Sequence, residues 1–330
     1  MFKKISYVFI SIFFGFLLIE LYFKAFNPQD LNASWRMYGK NGLLLNSKNK
    51  KVSHYFSGKK YASYTFGEFH NREYGFDKTA DTILTLGDSF TFGWLLNDED
   101  TFVFKLNKKI PKYKFINAAA GGWGTSDQLS YFMNFCNIIK PKYTLVFINL
   151  GDIERSIKSN LFKIDKNKNL IEGKNEIMKI KVILDKSIIY NFLVTNIHTV
   201  AFLKSIYLDK LHVNQKKKFI PKREQNFIFA KKLLLKFKEE GKKCGTKLFF
   251  INLGWKNYNT FTDDFSKTSN FLRENKPFLD KNFNYIDLNT NLRVMHLNKT
   301  YTIPIDGHPN ALGNDYLLDI IYKKINPLIN

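Results

Sequence analysis

Five short apolar runs punctuate the chain after residue 80: Thr82–Leu86, Lys114–Ile116, Tyr143–Leu150, Lys247–Asn252 and Tyr285–Leu288. Each is too short for a helix and rich in β-branched or aromatic residues, so each reads as a strand. Polar positions do not alternate through them, which means that both faces of the sheet are covered. Between the runs the apolar spacing changes to that of a helix. Over Asn226–Glu240, Phe227, Ala230, Leu233, Leu234 and Phe237 fall on one face and Gly241 supplies a stop; Ala311–Ile325 is a further helical pattern. Buried strands alternating with amphipathic helices predict an α/β fold built on a parallel sheet.

The N-terminal segment has a different pattern. Lys3 and Lys4 precede a near-continuous apolar and aromatic run from Ile5 to Phe23. At 1.5 Å per residue this run covers a bilayer core of about 30 Å. It leads into Glu20, Leu21, Tyr22, Phe23 and Lys24 without a small-residue cleavage site, so an uncleaved transmembrane helix is expected. The two leading lysines put the N-terminus in the cytoplasm and the rest of the chain outside, as a single-pass inner (cytoplasmic) membrane protein. Asn27–Lys60 is polar, basic and weakly periodic, and reads as a juxtamembrane linker followed by irregular structure. The expected organisation is an anchor over 1–28, a lead-in over 29–80 and one domain over 81–330. Residues 155–223 break the strand and helix rhythm and are expected to form an insertion in that domain. Within it Leu161–Ile171 reads as a hairpin or surface loop and Ile188–Leu208 as a helix, while Lys216, Lys217, Lys218, Lys222 and Arg223 form a solvated basic cluster.

Composition changes this picture little. The chain carries 51 Lys plus Arg against 29 Asp plus Glu, a formal net charge of +22. The excess is mostly Lys, is spread along the chain, and comes without helix-turn-helix, zinc-finger or aromatic RNA-binding patterns, so a nucleic-acid partner is not expected. Cys136 and Cys244 lack C-x-x-C spacing, and neither a cysteine zinc site nor a disulfide framework is expected. His54, His70, His198, His212 and His296 have no accompanying motif and read as structural or exposed. No metal and no cofactor is expected.

Candidate chemistry begins where the first strand ends. Gly87, Asp88 and Ser89 follow Leu86 directly, which puts a serine at the carboxyl edge of a parallel strand, where open α/β sheets keep their sites. A serine nucleophile needs a base and donors for the oxyanion. Asp306, Gly307 and His308 lie just before the last helical pattern, with the carboxylate close enough to orient the imidazole.

These segments resemble the SGNH or GDSL hydrolases, especially a bacterial membrane-anchored branch, over roughly residues 71–325. Leu86 to Trp94 followed by Asn97 to Phe102 is similar to the first block. Asn117 to Thr125 with Gln128 is similar to the second, and Asp306 to Asn310 with Gly313 to the last. The resemblance implies a flavodoxin-like three-layer sandwich and a catalytic triad of Ser89, His308 and Asp306. It also implies an oxyanion hole from the N–H groups of Ser89 and Gly122. The third block departs from the family form: Asn149, Leu150, Gly151, Asp152 places Gly151 where the family carries its oxyanion asparagine, and Asn149 is the candidate substitute. The implied activity is that of a serine esterase on O-acetyl or other ester groups of envelope or extracellular glycans. Alternatives are a glycan O-acetyltransferase and a glycan-binding protein with a damaged oxyanion hole.

Overall fold

The computed structural model describes residues 2–75, 80–149, 151–177, 179–216, 223–254, 267–292, 294–295 and 298–329. Two compact units emerge: Arg36–Lys51, Tyr64–Ile177 and Pro221–Asn330 form the larger, and Met1–Trp35, Val52–Ser63 and Met178–Ile220 the smaller.

The larger unit is built on five strands, β5 (Asp81–Leu86), β6 (Tyr113–Asn117), β7 (Tyr143–Ile148), β10 (Lys247–Asn252) and β11 (Asn284–Asp287). They lie in the order β11-β10-β7-β5-β6, and every neighbouring pair is parallel. The expected parallel α/β sheet is therefore present, in the strand order of flavodoxin-like sandwiches, with the reversal of winding between β5 and β7. Adjacent residues of each strand face opposite layers, and the sequence supplies apolar residues to both. Ile83, Leu145 and Phe249 join a core with α3 (Phe102–Lys109) and α12 (Ala311–Ile329), through Phe102, Leu106, Leu317 and Ile321. Leu84, Val146 and Phe250 face the other way, towards α4 (Thr125–Ile139) and α9 (Arg223–Cys244), where Leu129, Phe132, Leu233 and Phe237 are buried. Each such side chain contributes about 1.5–3 kcal/mol on burial, which makes these two layers the main source of stability.

Two expectations are corrected here. Cys136 on α4 and Cys244 at the end of α9 are joined by a disulfide, with their Cα atoms 6.1 Å apart. The sequence hides this pairing because the partners are 108 residues apart and meet only once both helices pack on the same face of the sheet. The lead-in is also more ordered than its weak periodicity suggests. It holds β1 (Arg36–Tyr38) antiparallel to β2 (Leu44–Asn46), and a two-stranded sheet of β3 (Lys50–Phe56) and β4 (Lys59–Phe66). Ser57 and Gly58, at φ 53° and 74°, turn the second pair with the positive angles that suit a tight hairpin. Within the 155–223 segment, α5 (Asp152–Ser159) precedes an antiparallel hairpin of β8 (Phe162–Ile164) and β9 (Leu170–Glu172).

In the smaller unit α1 (Phe2–Phe26) is long and apolar enough to cross a membrane. From Ile5 to Phe26 every residue but Gly15, Glu20 and Phe23 is exposed. Three further helices are α6 (Lys179–Lys186), α7 (Ile188–Asn196) and α8 (His198–Lys216). The single helix expected over 188–208 is broken at Ile197, where the backbone is extended. The cause is Glu20. Its carboxylate accepts the N–H groups of His198 and Thr199 and the Thr199 hydroxyl, all at 2.8 Å, and so caps a new helix start. Phe23 packs against Phe202 beside this cap, with tilted rings whose centroids are 4.7 Å apart. Lys217, Lys218, Lys222 and His296 lie outside the described residues.

Candidate active site

Ser89 opens α2 (Ser89–Phe92), a single helical turn set directly on the end of β5. Asp88 caps that turn, its Oδ1 accepting the Phe90 N–H at 2.9 Å. Gly93 ends it at φ 78°, a left-handed conformation where a Cβ would also come within 2.4 Å of Thr101 Cγ2. Arg72 holds the turn from beneath. Its Nη1 donates to the carbonyls of Phe92 and Gly93 at 2.9 and 3.0 Å, its Nη2 to that of Leu96 at 2.9 Å, and Nε and Nη2 both reach Asp98 Oδ1.

His308 reaches Ser89 from the loop before α12. The loop is closed by Ile303 N–H to His308 O at 2.8 Å and Gly307 N–H to Ile303 O at 2.9 Å. Asp306 Oδ1 lies 2.5 Å from His308 Nδ1, and His308 Nε2 lies 2.7 Å from Ser89 Oγ. With Nδ1–H donating to the Asp306 carboxylate, Nε2 is left as an acceptor and the Ser89 hydroxyl donates to it. Phe90 and Trp94 flank the imidazole, with centroids 4.9 and 6.1 Å from its own.

The loop after β6 brings Gly122 to the same edge of the sheet, and Ala120 N–H ties it to Gly87 O at 3.3 Å. Neither Ser89 N–H nor Gly122 N–H has an acceptor among the described residues. Two donors are thus held beside a serine with no bond to satisfy.

The Asn149 side chain, expected as the third donor, lies beside Asp88. It is 2% exposed, and its Nδ2 donates to Asp88 Oδ2 at 3.2 Å. The physical reason is the burial of Asp88, at 1% exposure, whose second oxygen needs donors once the first is spent on the helix cap. Arg155 supplies another, its Nη2 reaching the same oxygen at 2.7 Å. Arg155 also pairs with Asp152, which accepts the Asn149 N–H at 2.9 Å. Burial pushes the Asp152 carboxyl well above the usual carboxylate range, and the guanidinium opposes that shift.

The structure therefore brings Ser89, His308, Asp306 and Gly122 to the carboxyl ends of β5 and β6, beside the point where the winding of the sheet reverses. Sequence reading missed Arg72 and Arg155. Neither belongs to a local motif, and each acts on groups 20 or more residues away.

No protein-family model and no curated protein matches this chain. Among solved structures it is similar to TesA, at 13% identity over 76% of this chain and 100% of that one, with a TM-score of 0.47. It is similar to the psychrotrophic esterase EstA from Pseudoalteromonas sp. at 14% identity, covering 76% and 99% of the two chains, with a TM-score of 0.45. An acetyl xylan esterase, AlAXEase, aligns at 13% identity over 74% and 99% of the two chains, with a TM-score of 0.44.

Proposed function

We propose that this chain is a serine ester hydrolase of the SGNH or GDSL type that works through an acyl-enzyme. One observation carries the reading: Ser89 Oγ, His308 Nε2, His308 Nδ1 and Asp306 Oδ1 form a continuous hydrogen-bonded line, with steps of 2.7 and 2.5 Å on either side of the ring. Ser89 attacks the ester carbonyl as His308 takes its proton, Asp306 stabilises the imidazolium that results, and the N–H groups of Ser89 and Gly122 receive the oxyanion. His308 then protonates the leaving alcohol, and water resolves the acyl-serine by the same steps in reverse.

The substrate class follows from where the chain is held. An apolar N-terminal helix preceded by Lys3 and Lys4 supports a single-pass protein of the cytoplasmic membrane with its site outside, and the Cys136–Cys244 disulfide fits an oxidising compartment. Ester groups within reach there are those on envelope glycans, with O-acetyl the commonest. A fluorophosphonate is expected to modify one serine in the wild type and none in Ser89→Ala, while the wild type releases acetate from an O-acetylated glycan. Labelling that persists in Ser89→Ala would sink the assignment of the nucleophile. Labelling without acetate release would remove the substrate class and leave the chemistry.

A further inference from the structure

The N–H groups of Ser89 and Gly122 would give an oxyanion hole only two backbone donors, and the Asn149 amide beside them spends one of its two N–H bonds on Asp88. Arg155 joins the two loops that carry these donors. Its side chain extends from the first turn of α5, and three acceptors fix the guanidinium plane. Nε donates to Trp123 O at 2.8 Å, Nη2 donates to Asp88 Oδ2 at 2.7 Å, and Nη2 also pairs with Asp152 Oδ1. Trp123 directly follows Gly122, and Asp88 directly precedes Ser89. The guanidinium therefore bridges the two loops whose N–H groups are unpaired. Its Nη1 has no hydrogen-bond partner among the described residues.

Gly151 explains the space. It begins α5 at φ 83°, and a Cβ built there would sit 3.4 Å from Arg155 Nη1, so this nitrogen lies next to the ground that a side chain at 151 would take. The Arg155 side chain is 33% exposed, so part of it is open rather than sealed in the core. Neutralising Asp88 and Asp152 accounts for Nη2, and tethering to Trp123 accounts for Nε. Neither accounts for Nη1.

We propose that Arg155 Nη1–H is the third donor of the oxyanion hole, acting with the N–H groups of Ser89 and Gly122. This rests on the reading of Ser89 as nucleophile. As Ser89 Oγ bonds to the carbonyl carbon, its proton passes to His308 Nε2 and the carbonyl π pair moves onto oxygen. That alkoxide is what Nη1–H holds. Collapse re-forms the carbonyl, breaks the bond to the alcohol oxygen, and returns the proton from His308 to the leaving alcohol. A guanidinium suits the task because its donors are rigid, charged and already aligned by their other bonds.

The test uses the full-length protein in detergent with p-nitrophenyl acetate. Arg155→Lys keeps a cation beside Asp88 and Asp152 but withdraws the planar fork. Its kcat is expected to fall about a hundred- to thousandfold with little change in KM. A trifluoromethyl ketone, which binds serine hydrolases as a tetrahedral oxyanion, is expected to lose affinity by the same factor as kcat/KM falls. Arg155→Ala is expected to be equally impaired, and adding Gly151→Asn to it, which offers an amide from the neighbouring backbone, is expected to recover about tenfold. Retention of the wild-type rate by Arg155→Lys would overturn the proposal, as would a rate loss that leaves the ketone affinity unchanged. A wild type that fluorophosphonate does not label at Ser89 would instead overturn the esterase reading beneath it.

Discussion

Arg72 is buried to 1% exposure, yet each of its five N–H groups finds an acceptor: three carbonyls of the segment after Ser89 and, twice, Asp98 Oδ1. Its guanidinium also lies 4.6 Å from the Tyr64 ring centre and 5.0 Å from that of Phe92. Such a charge is stable only while the whole set is intact. Arg72→Met leaves Asp98 and the three carbonyls without their donors, and is expected to cost about 3–5 kcal/mol, read as a lower urea midpoint. Arg72→Lys is expected to recover little of that, because a point charge cannot serve acceptors spread over a planar fork. The contrast with Ser89, Asp306 and His308 shows which residues a sequence discloses. Those three stand in local strings whose spacing already places carboxylate beside imidazole. Arg72, and Arg155 in its bonds to Trp123 and Asp88, have partners that only the fold supplies, and an isolated arginine in a Lys-rich chain carries no mark of burial.

At the scale of elements, strand reading fared well because a covered parallel strand is apolar on both faces and stops abruptly. The run Lys247–Asn252 coincides with β10, and Tyr143–Leu150 overlaps β7 up to Ile148. Helix reading failed where a distant group intervened: the pattern over 188–208 continues through Ile197, and nothing near that residue announces that Glu20 will start a second helix there. The start of α4 carries a pH-dependent cost. Asp127, in its first turn, accepts the Gly124 N–H at 3.0 Å, and burial pushes its carboxyl up to about 6. The folded chain thus binds this proton more tightly than the unfolded chain, where an aspartate titrates near 3.8. The stability from this group is full below that value and is lost as pH rises through about 6. Asp127→Asn retains an acceptor for Gly124 and cannot ionise. It is expected to exceed the wild type by about 3 kcal/mol at pH 8, with the difference vanishing only below the unfolded value of 3.8, as followed by urea denaturation down to about pH 3.

For the whole molecule the Cys136–Cys244 bridge closes a long loop that includes β7, the inserted helices and α9. Loops of this length lose enough freedom in the unfolded state for a disulfide to contribute about 2–4 kcal/mol. Cys136→Ser with Cys244→Ser, or the wild type in dithiothreitol, is expected to unfold at lower denaturant while Ser89 labelling in the folded range stays at the wild-type level. The bridge was illegible in the sequence because two cysteines without spacing fit a pair of buried thiols equally well.

The carboxylate at the end of α1 has a consequence for how such a chain can be rebuilt. Anchors joined to their cargo by a flexible stretch are interchangeable, and any apolar helix of the right length will serve. Here Glu20 belongs to the apolar helix by sequence and to α8 by bonding, with the Phe23 and Phe202 rings in contact beside it. A foreign apolar helix of the same length would leave the first N–H groups of α8 without their cap. Grafting onto this chain would have to carry the acid and the ring along with the hydrophobicity.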